Sequence, residues 1–291
     1  MCYNPSVYDG GFDCGKDRDN MDYKSMRLFL FDMDGTIYLG YDLFPFTSEL
    51  LATIRAQGHS YLFMTNNSSR SVTDYVIKMK KLGIDAVPED FITSSQVTAM
   101  YLLDHYDGKK LYVSGTESFK RELESAGVKN IYDTYREDID VVVTGFDTEL
   151  TFRKLEDMSK LLTRDLPFIA ANPDLVCPTE FGYVPDCGSV CGMITNATGK
   201  KPYFIGKPRP EMPLYAMERM KQKDPLITKE NTLVIGDRIY TDIACGVNAG
   251  VNSLLVLSGE TTAELAAQSE TKPTAILSDC GELLKILKSE E

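Results

Sequence analysis

The chain has 291 residues, of which 43% are hydrophobic and 25% are charged, and its formal net charge at pH 7 is −12. This composition fits one large or two ordinary globular domains, and it excludes a wholly disordered chain, a collagen-like repeat and a coiled-coil rod. A strongly anionic protein gains nothing from counterion release on DNA or RNA, so a nucleic-acid partner is disfavoured. No apolar run reaches the roughly 18 residues that predict a membrane span. Residues 1–25 predict a flexible leader rather than a secretory signal.

The seven cysteines indicate reduced thiols, because their number is odd and their spacing is loose in a chain too large to need cross-links. We therefore expect the protein in the cytoplasm. Cys177, Cys187 and Cys191 are close enough in sequence to suggest a metal site. We disfavour such a site because His59 and His105 are distant in sequence and no second close cysteine pair completes a tetrahedral set.

Short apolar runs alternate with amphipathic stretches from residue 27 onwards. The apolar runs predict strands at 28–31, 61–64, 110–113, 139–144, 168–170, 232–235 and 253–257. The amphipathic stretches predict helices at 46–57, 70–82, 95–105, 117–126, 151–163, 210–222, 241–249 and 279–288. Proline and glycine interrupt the pattern between 172 and 192, and we expect irregular structure there. The alternation predicts an α/β fold with a doubly wound parallel sheet.

Polar residues directly follow three of the predicted strands. Asp32 and Asp34 follow the first strand, Thr65 follows the second, and Asp237 follows the sixth. Lys207 lies between a glycine and a proline, ahead of that sixth strand. Ligands of open α/β sheets bind at the carboxyl ends of parallel strands, so we expect Asp32, Thr65, Asp237 and Lys207 to meet at one edge of the sheet, with Asp34 near them.

The charges of these residues suggest a chemistry. Carboxylates that meet at one edge repel each other unless a counter-charge is present. Asp32 and Asp237, with Asp242 nearby, present the hard oxygen ligands that suit Mg²⁺. A phosphate would then be held by the metal, by Lys207, by the Thr65 hydroxyl and by backbone N–H groups at helix starts. A carboxylate that faces the phosphorus can act as nucleophile, and an acid two residues on can protonate the leaving oxygen.

Four segments resemble, in order, the four motifs of the haloacid dehalogenase (HAD) superfamily. They are Asp32-Met33-Asp34-Gly35-Thr36, the strand end at Thr65, the segment around Lys207, and Gly236-Asp237 with Asp242. Three longer segments are similar to subfamily IIA, the NagD-like and p-nitrophenyl phosphatase group. They are TNNSSR at 65–70, IGKPRP at 205–210 and GDRIYTDI at 236–243. The resemblance implies a HAD-like Rossmannoid core and a Mg²⁺-dependent phosphatase.

The resemblance also implies a role for each motif residue. Asp32 would accept the phosphoryl group as nucleophile and would ligate Mg²⁺. Asp34 would act first as general acid and then as general base, with its backbone carbonyl on the metal. Lys207 would neutralise Asp32 and the phosphate oxygens.

The remaining motif residues would bind phosphate or metal. Thr65 and the backbone of Asn66 would bind the phosphate. Asp237 would ligate Mg²⁺ directly. Asp242 would hold a metal-bound water or contact the direct metal ligands without touching the metal.

Each of these residues also has an ordinary structural explanation. Asp34 could form a turn with the glycine after it, and Thr65 could cap the following helix, a role compatible with phosphate binding. Lys207 could be a solvated lysine, Asp237 could cap its helix, and Asp242 could lie on a solvent-facing helix surface. We favour the functional explanation, because four motifs in the right order are much less probable by chance than any one of them.

Residues 104–200 separate the second motif from the third and carry their own strand–helix alternation. By the resemblance they form an inserted α/β cap domain of the C2 type, and residues 26–103 and 201–291 form the catalytic core. A cap can shield an acyl-phosphate from stray water and then reopen to release product. A homodimer formed through the cap is left open.

The stretch 172–192 is the best candidate for the loop that contacts the leaving group. It contains no Lys or Arg, so a highly anionic substrate such as a bisphosphate is disfavoured, whereas Phe181 and Tyr183 could stack on a ring. We expect a small phosphorylated metabolite, such as a nucleoside monophosphate or an aryl phosphate like p-nitrophenyl phosphate. The alternatives are a phosphotransferase or phosphomutase on the same fold and a non-catalytic phosphate-binding scaffold. The intact acidic residues and lysine argue against the scaffold.

Overall fold

A computed structural model describes residues 21–179 and 181–289 of the chain. Its strands, in chain order, are β1 (Leu28–Phe31), β2 (Tyr38–Leu39), β3 (Asp42–Leu43), β4 (Ser60–Thr65), β5 (Phe91–Thr93), β6 (Leu111–Ser114), β7 (Ile131–Tyr132), β8 (Val141–Thr144), β9 (Phe168–Ala170), β10 (Val176–Thr179), β11 (Gly182–Pro185), β12 (Tyr203–Phe204), β13 (Thr232–Gly236), β14 (Asn252–Val256) and β15 (Ala275–Leu277). Its α-helices are α1 (Thr47–Ala56), α2 (Val72–Lys81), α3 (Ser94–Tyr106), α4 (Glu117–Ser125), α5 (Phe152–Leu162), α6 (Cys187–Thr198), α7 (Glu211–Lys221), α8 (Ala244–Ala249), α9 (Ala263–Gln268) and α10 (Cys280–Lys288).

The larger sheet is parallel throughout, and its six strands lie in the order β15-β14-β13-β1-β4-β5. Leu28 of β1 pairs with Thr232 of β13 on one side and with Ser60 of β4 on the other. The chain therefore winds outward from β1 in both directions, and the carboxyl ends of β1 and β13 form the switch point where ligands of such sheets bind. The predicted doubly wound α/β fold is confirmed.

The central strand β1 is apolar along its whole length because helices cover both faces of the sheet. Phe29 and Phe31 pack into the hydrophobic layer on one face, and Leu28 and Leu30 pack into the layer on the other. All four side chains are fully buried. Burial of each such side chain contributes roughly 1.5–3 kcal/mol, so the position of the strand end at Asp32 is firmly fixed.

A second, smaller α/β unit is inserted into the core. Its five parallel strands lie in the order β12-β9-β8-β6-β7, and the antiparallel hairpin β10–β11 lies beside α6. We call this unit the cap. The boundaries at 104 and 200 remain a prediction; α3 runs across the first of them, and β12 follows the second.

The prediction of irregular structure between 172 and 192 is wrong. This stretch contains the hairpin β10–β11 and the start of α6, which begins at Cys187 behind the capping side chain of Asp186. One glycine of this stretch, Gly188, allows close packing instead of interrupting the helix. A Cβ atom on Gly188 would lie 2.1 Å from the carbonyl oxygen of Pro173, a distance that no side chain could occupy.

Smaller differences concern short elements and the leader. The helix predicted at 241–249 is replaced by a π-helical turn, Ile239–Ile243, followed by α8. The strands β5 and β15 are too short to give a periodic signal. Residues 1–20 of the expected leader lie outside the described residues, whereas Tyr23–Ser25 form a 3-10 turn with Tyr23 buried, so ordered structure begins before residue 26.

Among the helices of the described residues, we find none with the length and apolar character that a membrane crossing requires.

Candidate active site

A cavity of about 890 Å³ lies between the carboxyl edge of the larger sheet and the β10–β11 hairpin of the cap. Its wall includes Asp32 and Asp34 after β1, Thr65 at the end of β4, Asn66 directly after it, and Lys207. The structure therefore brings Asp32, Thr65 and Lys207 together at one sheet edge, where the sequence placed them, and Asp237 lies beside Asp32.

Lys207 is buried at the centre of this site. Its Nζ donates hydrogen bonds to Asp32 Oδ1 at 2.5 Å, to Asp242 Oδ1 at 2.6 Å and to the carbonyl oxygen of Met64 at 3.1 Å. Burial alone lowers the pKa of Lys207, but the carboxylates of Asp242 and Asp32 outweigh burial and raise it. The side chain is therefore a fixed positive charge with three acceptors, not a solvated lysine.

Asp32, Asp237 and Asp242 form a compact acidic cluster whose ligand oxygens all lie within 4.8 Å of one another. Burial is the main cause that raises the pKa of Asp32 to about 8 and that of Asp237 to about 7, and Asp242 adds to both shifts. Lys207 opposes the shift of Asp32 without cancelling it.

Asp237 shows that this cluster fits a cation. Its Oδ1 is buried and has no hydrogen-bond partner among the described residues, while its Oδ2 accepts from the backbone N–H of Glu260 at 2.6 Å. Glycines leave the space around it: a Cβ atom would lie 2.5 Å from Asp237 Oδ2 at Gly35 and 2.0 Å at Gly259. A buried carboxylate oxygen without a partner is costly unless positive charge compensates it, and a divalent cation with oxygen ligands fits these donors.

Asp242 lies in the π-helical turn, with its side chain directed to the sheet edge. Its Oδ1 accepts from Lys207 and its Oδ2 accepts from the backbone N–H of Arg238 at 3.1 Å. The residue is only 1% exposed, so the alternative of a solvent-facing helix position is wrong. Both oxygens are already partnered, which favours an indirect contribution of Asp242 to a metal site.

Asp34 and Thr65 both line the cavity. Asp34 is partly exposed, and its Oδ1 accepts from the backbone N–H of Gly40 at 3.3 Å. The Thr65 hydroxyl accepts from the backbone N–H of Asn67 at 3.2 Å, so Thr65 supports the loop after β4 while facing the cavity. The alternative that Thr65 caps the following helix is wrong, because Ser71 caps α2.

The side chain of Asn66 joins the core to the cap, which the sequence did not predict. Its Oδ1 accepts from the backbone N–H of Lys207 at 2.7 Å, and its Nδ2 donates to the carbonyl of Lys207 at 2.9 Å and to Asp174 Oδ2 at 2.7 Å. Asn172 Nδ2 then donates to Asp174 Oδ2 at 2.9 Å and to Asp186 Oδ1 at 3.0 Å. The backbone of Lys207 is thus tied through two amides to two carboxylates of the cap.

Asp186 gives this network a dependence on pH. Burial raises the pKa of Asp186 to about 6, although hydrogen bonds from Asn172 and the Cys187 N–H oppose the shift. Because the folded-state pKa lies above the ordinary value, the contribution of this group to stability is complete below about pH 4 and is lost as the pH rises through about 6.

We therefore expect Asp186→Asn to gain stability relative to the unaltered protein as the pH rises from about 4 to about 7, by roughly 1–3 kcal/mol. The asparagine Oδ1 can still accept both hydrogen bonds. Thermal or urea unfolding of the two proteins across this range measures the difference. A stability difference that stays constant with pH would contradict the assignment.

Six cationic or aromatic residues of the cavity wall were not identified from the sequence: Tyr38, Tyr41, Arg70, Tyr75, Lys78 and Arg238. Arg238 Nε lies 2.9 Å from Glu260 Oε2. Burial lowers the pKa of Arg238, but Asp32 and Asp237 more than compensate and raise it. Its position directly after Asp237 was a signal that could have found it. Tyr75 and Lys78 are three residues apart, which places them on one face of α2.

Comparison with known proteins identifies the family. Residues 29–129 match the model described as haloacid dehalogenase-like hydrolase, and residues 204–283 match a second HAD-hydrolase-like model. An acid sugar phosphatase of Staphylococcus haemolyticus is 32% identical over 256 residues, which cover 88% of this chain and 94% of the relative.

Solved structures agree with this result. A 4-nitrophenylphosphatase from Thermotoga maritima is 37% identical with a TM-score of 0.83, and the match covers 91% of this chain and 99% of that one. A glycerol phosphate phosphatase from Mycobacterium tuberculosis, in complex with magnesium, is 30% identical with a TM-score of 0.82 and coverages of 92% and 78%. A structure described as a putative NagD protein is 35% identical, covers 91% of this chain and 99% of its own, and has a TM-score of 0.80.

The chain belongs to the haloacid dehalogenase-like hydrolases and, within them, to the NagD-like group of subfamily IIA. The predictions of the family and of a phosphoric monoester hydrolase are confirmed.

Proposed function

We propose that the protein is a Mg²⁺-dependent phosphomonoesterase that hydrolyses small phosphorylated metabolites through an aspartyl-phosphate on Asp32. The observation that supports this most is the Lys207–Asp32 ion pair at 2.5 Å, placed at the sheet edge beside Asp237 and facing the cavity. Relatives named for acid sugar, 4-nitrophenyl and glycerol phosphates add sugar and polyol phosphates to the nucleoside and aryl phosphates expected from the sequence.

In the first step, Asp32 attacks the phosphorus. Its Oδ1 is held by Lys207, so we assign the attack to Oδ2. A bond forms between Oδ2 and phosphorus, the bond from phosphorus to the leaving oxygen breaks, and Asp34 gives that oxygen its proton. Lys207 stabilises the negative charge that the phosphate brings next to the carboxylate.

In the second step, Asp34 has lost its proton and can act as a base. It removes a proton from a water molecule, the water oxygen attacks phosphorus, and the acyl-phosphate bond to Asp32 breaks. Inorganic phosphate leaves, and both carboxyl groups return to their starting states. Thr65, which lines the cavity, is assigned to the phosphate together with the backbone of Asn66.

The acidic cluster would hold the metal through Asp32, Asp237 and the backbone carbonyl of Asp34. Asp237 Oδ1, buried and without a partner among the described residues, is the strongest support for this assignment. Asp242 would contribute through a water molecule, because Lys207 and the Arg238 N–H occupy its oxygens. When bound, the cation supplies positive charge that draws the phosphate oxygens toward the nucleophile.

Phosphatase activity should vanish in excess EDTA and return with Mg²⁺, whereas Ca²⁺ should support it poorly. Ca²⁺ takes about six to eight ligands and can draw both oxygens of Asp32, which leaves none aimed at phosphorus. Structures of a related glycerol phosphate phosphatase contain magnesium or calcium. We therefore expect both metals to bind but only Mg²⁺ to support rapid hydrolysis. Rates with p-nitrophenyl phosphate and the rise in melting temperature on adding each metal measure both. Full activity in excess chelator would remove the metal from the mechanism.

A substrate panel tests the function itself. Purified protein with Mg²⁺ should release phosphate from p-nitrophenyl phosphate and from at least one of AMP, glucose 6-phosphate and glycerol 3-phosphate. A scaffold would release none, and a phosphotransferase would move the phosphate to an added alcohol without releasing it. We further propose that the enzyme works in the cytoplasm, since the five cysteines of the described residues are all free thiols. A dimer through the cap remains a prediction.

A further inference from the structure

Two cations of the cavity wall, Arg70 and Lys78, have no task in the phosphate chemistry. Both line the cavity. Within the described part of the chain, neither forms an ion pair or a side-chain hydrogen bond with another residue. Two cations without anionic partners are conspicuous in a protein whose formal net charge is −12.

Lys78 is held over aromatic rings rather than by carboxylates. Its Nζ lies 3.8 Å from the ring centroid of Tyr38 and 5.5 Å from that of Tyr41, both in the β2–β3 hairpin that follows Asp34. A cation–π contact attracts the charge but leaves the N–H donors without an oxygen acceptor. Burial lowers the pKa of Lys78, Asp34 opposes this and Arg70 adds to it, as expected for a cation without a close counter-ion.

The position of these cations relates them to the leaving group. Asp34, which we assign to the leaving oxygen, lies in the same part of the cavity and interacts electrostatically with Lys78. The cap contributes Phe181 and Tyr183, which are 81% and 64% exposed, to the wall of the same cavity. The cavity that would enclose a substituent on the leaving oxygen is therefore lined by aromatic rings of the cap and by cations of the core.

We propose that Arg70 and Lys78 bind a carboxylate on the leaving part of the substrate, so that the preferred substrates are phosphate monoesters of hydroxy acids or sugar acids. This inference rests on the proposed function and narrows its substrate class. A carboxylate is favoured over a second phosphate because the carboxylates of Asp34, Asp42 and Asp186 also line the cavity, which makes a dianion more costly to place than a monoanion.

The test compares two esters that share a three-carbon skeleton. 3-Phosphoglycerate carries a carboxylate where glycerol 3-phosphate carries a neutral hydroxymethyl group. Charged hydrogen bonds of the usual strength predict that the unaltered enzyme prefers 3-phosphoglycerate by roughly 10- to 100-fold in kcat/KM, mainly through KM. Fructose 1,6-bisphosphate should show no comparable preference over fructose 6-phosphate.

Variants of Arg70 and Lys78 test whether these residues cause the preference for 3-phosphoglycerate. Lys78→Met, which keeps the apolar stem on the tyrosine rings, and Arg70→Met should each lower the ratio of the two kcat/KM values by roughly 10-fold. Lys80→Met removes an exposed lysine of the same helix that does not line the cavity, and it should leave the ratio unchanged. Arg70 is exposed, so we expect Arg70→Met to fold. It therefore measures the same ratio even if Lys78→Met fails to fold.

Each outcome separates the inference from the function on which it rests. A ratio near one in the unaltered enzyme, or a ratio that Arg70→Met and Lys78→Met leave intact, overturns the carboxylate site while p-nitrophenyl phosphate hydrolysis upholds the phosphatase. A strong preference for fructose 1,6-bisphosphate over fructose 6-phosphate would show that the two cations bind a second phosphate rather than a carboxylate. That result also overturns the proposal. Failure to hydrolyse any of these esters contradicts the proposed function, and the inference falls with it.

Discussion

Asp32→Asn is expected to abolish phosphatase activity while the fold stays intact. The amide oxygen can still accept the hydrogen bond from Lys207, but an amide cannot attack phosphorus and is a poorer ligand for Mg²⁺. Loss of the nucleophile in other enzymes that use covalent catalysis costs on the order of 10⁶-fold in turnover, and we expect a loss of that order here.

The same variant should be at least as stable as the unaltered protein in EDTA. Burial raises the pKa of Asp32 to about 8, so an ionised carboxylate there is costly and its removal from the acidic cluster relieves repulsion. Rates with p-nitrophenyl phosphate and melting temperatures test both expectations. Asp42→Asn makes the same exchange at an exposed position of the cavity rim and should retain activity. Normal turnover by Asp32→Asn would refute the nucleophile assignment.

Asp34→Asn should separate substrates by the basicity of their leaving groups. An alkyl alkoxide needs a proton as it departs, whereas p-nitrophenolate is stable without one. General acid catalysis is typically worth ~10²–10⁴-fold, so we expect a loss of that size in the phosphorylation step with an alkyl phosphate such as glycerol 3-phosphate. With p-nitrophenyl phosphate the same step should lose much less.

The second step complicates a steady-state measurement, because Asp34 also activates the hydrolytic water. Turnover could then fall for both substrates while an acyl-phosphate accumulates on Asp32. Burst kinetics with the two leaving groups, together with trapping of the phosphoenzyme, isolate the first step. Equal loss of burst rate for both esters, with no trapped phosphoenzyme, would leave Asp34 a structural residue that contributes its carbonyl to the metal.

The parts of the fold that the sequence predicted well are those with a strong local signal. The strand at 28–31 was predicted at its observed bounds because its four apolar residues are buried on both sides and end at Asp32. The helix α6 was missed because one of its glycines, Gly188, satisfies a packing requirement, the approach to the Pro173 carbonyl, that exists only in the folded protein. The three-residue strand β5 was missed, because its pairing with β4 defines it rather than a pattern of its own.

The residues of the site likewise divide into those with a local sequence signal and those without one. Asp32, Thr65 and Asp237 were found because each directly follows a strand, and parallel strands bring such positions together. Lys78 and the Asn66 side chain gave no such signal. The environment of Lys78 depends on a hairpin that lies next to it only in space, and the partners of Asn66 lie 108 and 141 residues away in the chain.

The hydrogen bonds of Asn66 determine how such enzymes can be recombined. A chimaera that took its cap from another protein would lose the Asp174 oxygen and leave a buried amide donor beside Lys207 without that acceptor, at a cost of roughly 1–3 kcal/mol. Ser68 of the core would likewise lose Asn172, to which its hydroxyl donates at 3.2 Å. The cap is therefore not an interchangeable module: a successful graft must carry Asn172 and Asp174 with it and meet Asn66 and Ser68 on the recipient core.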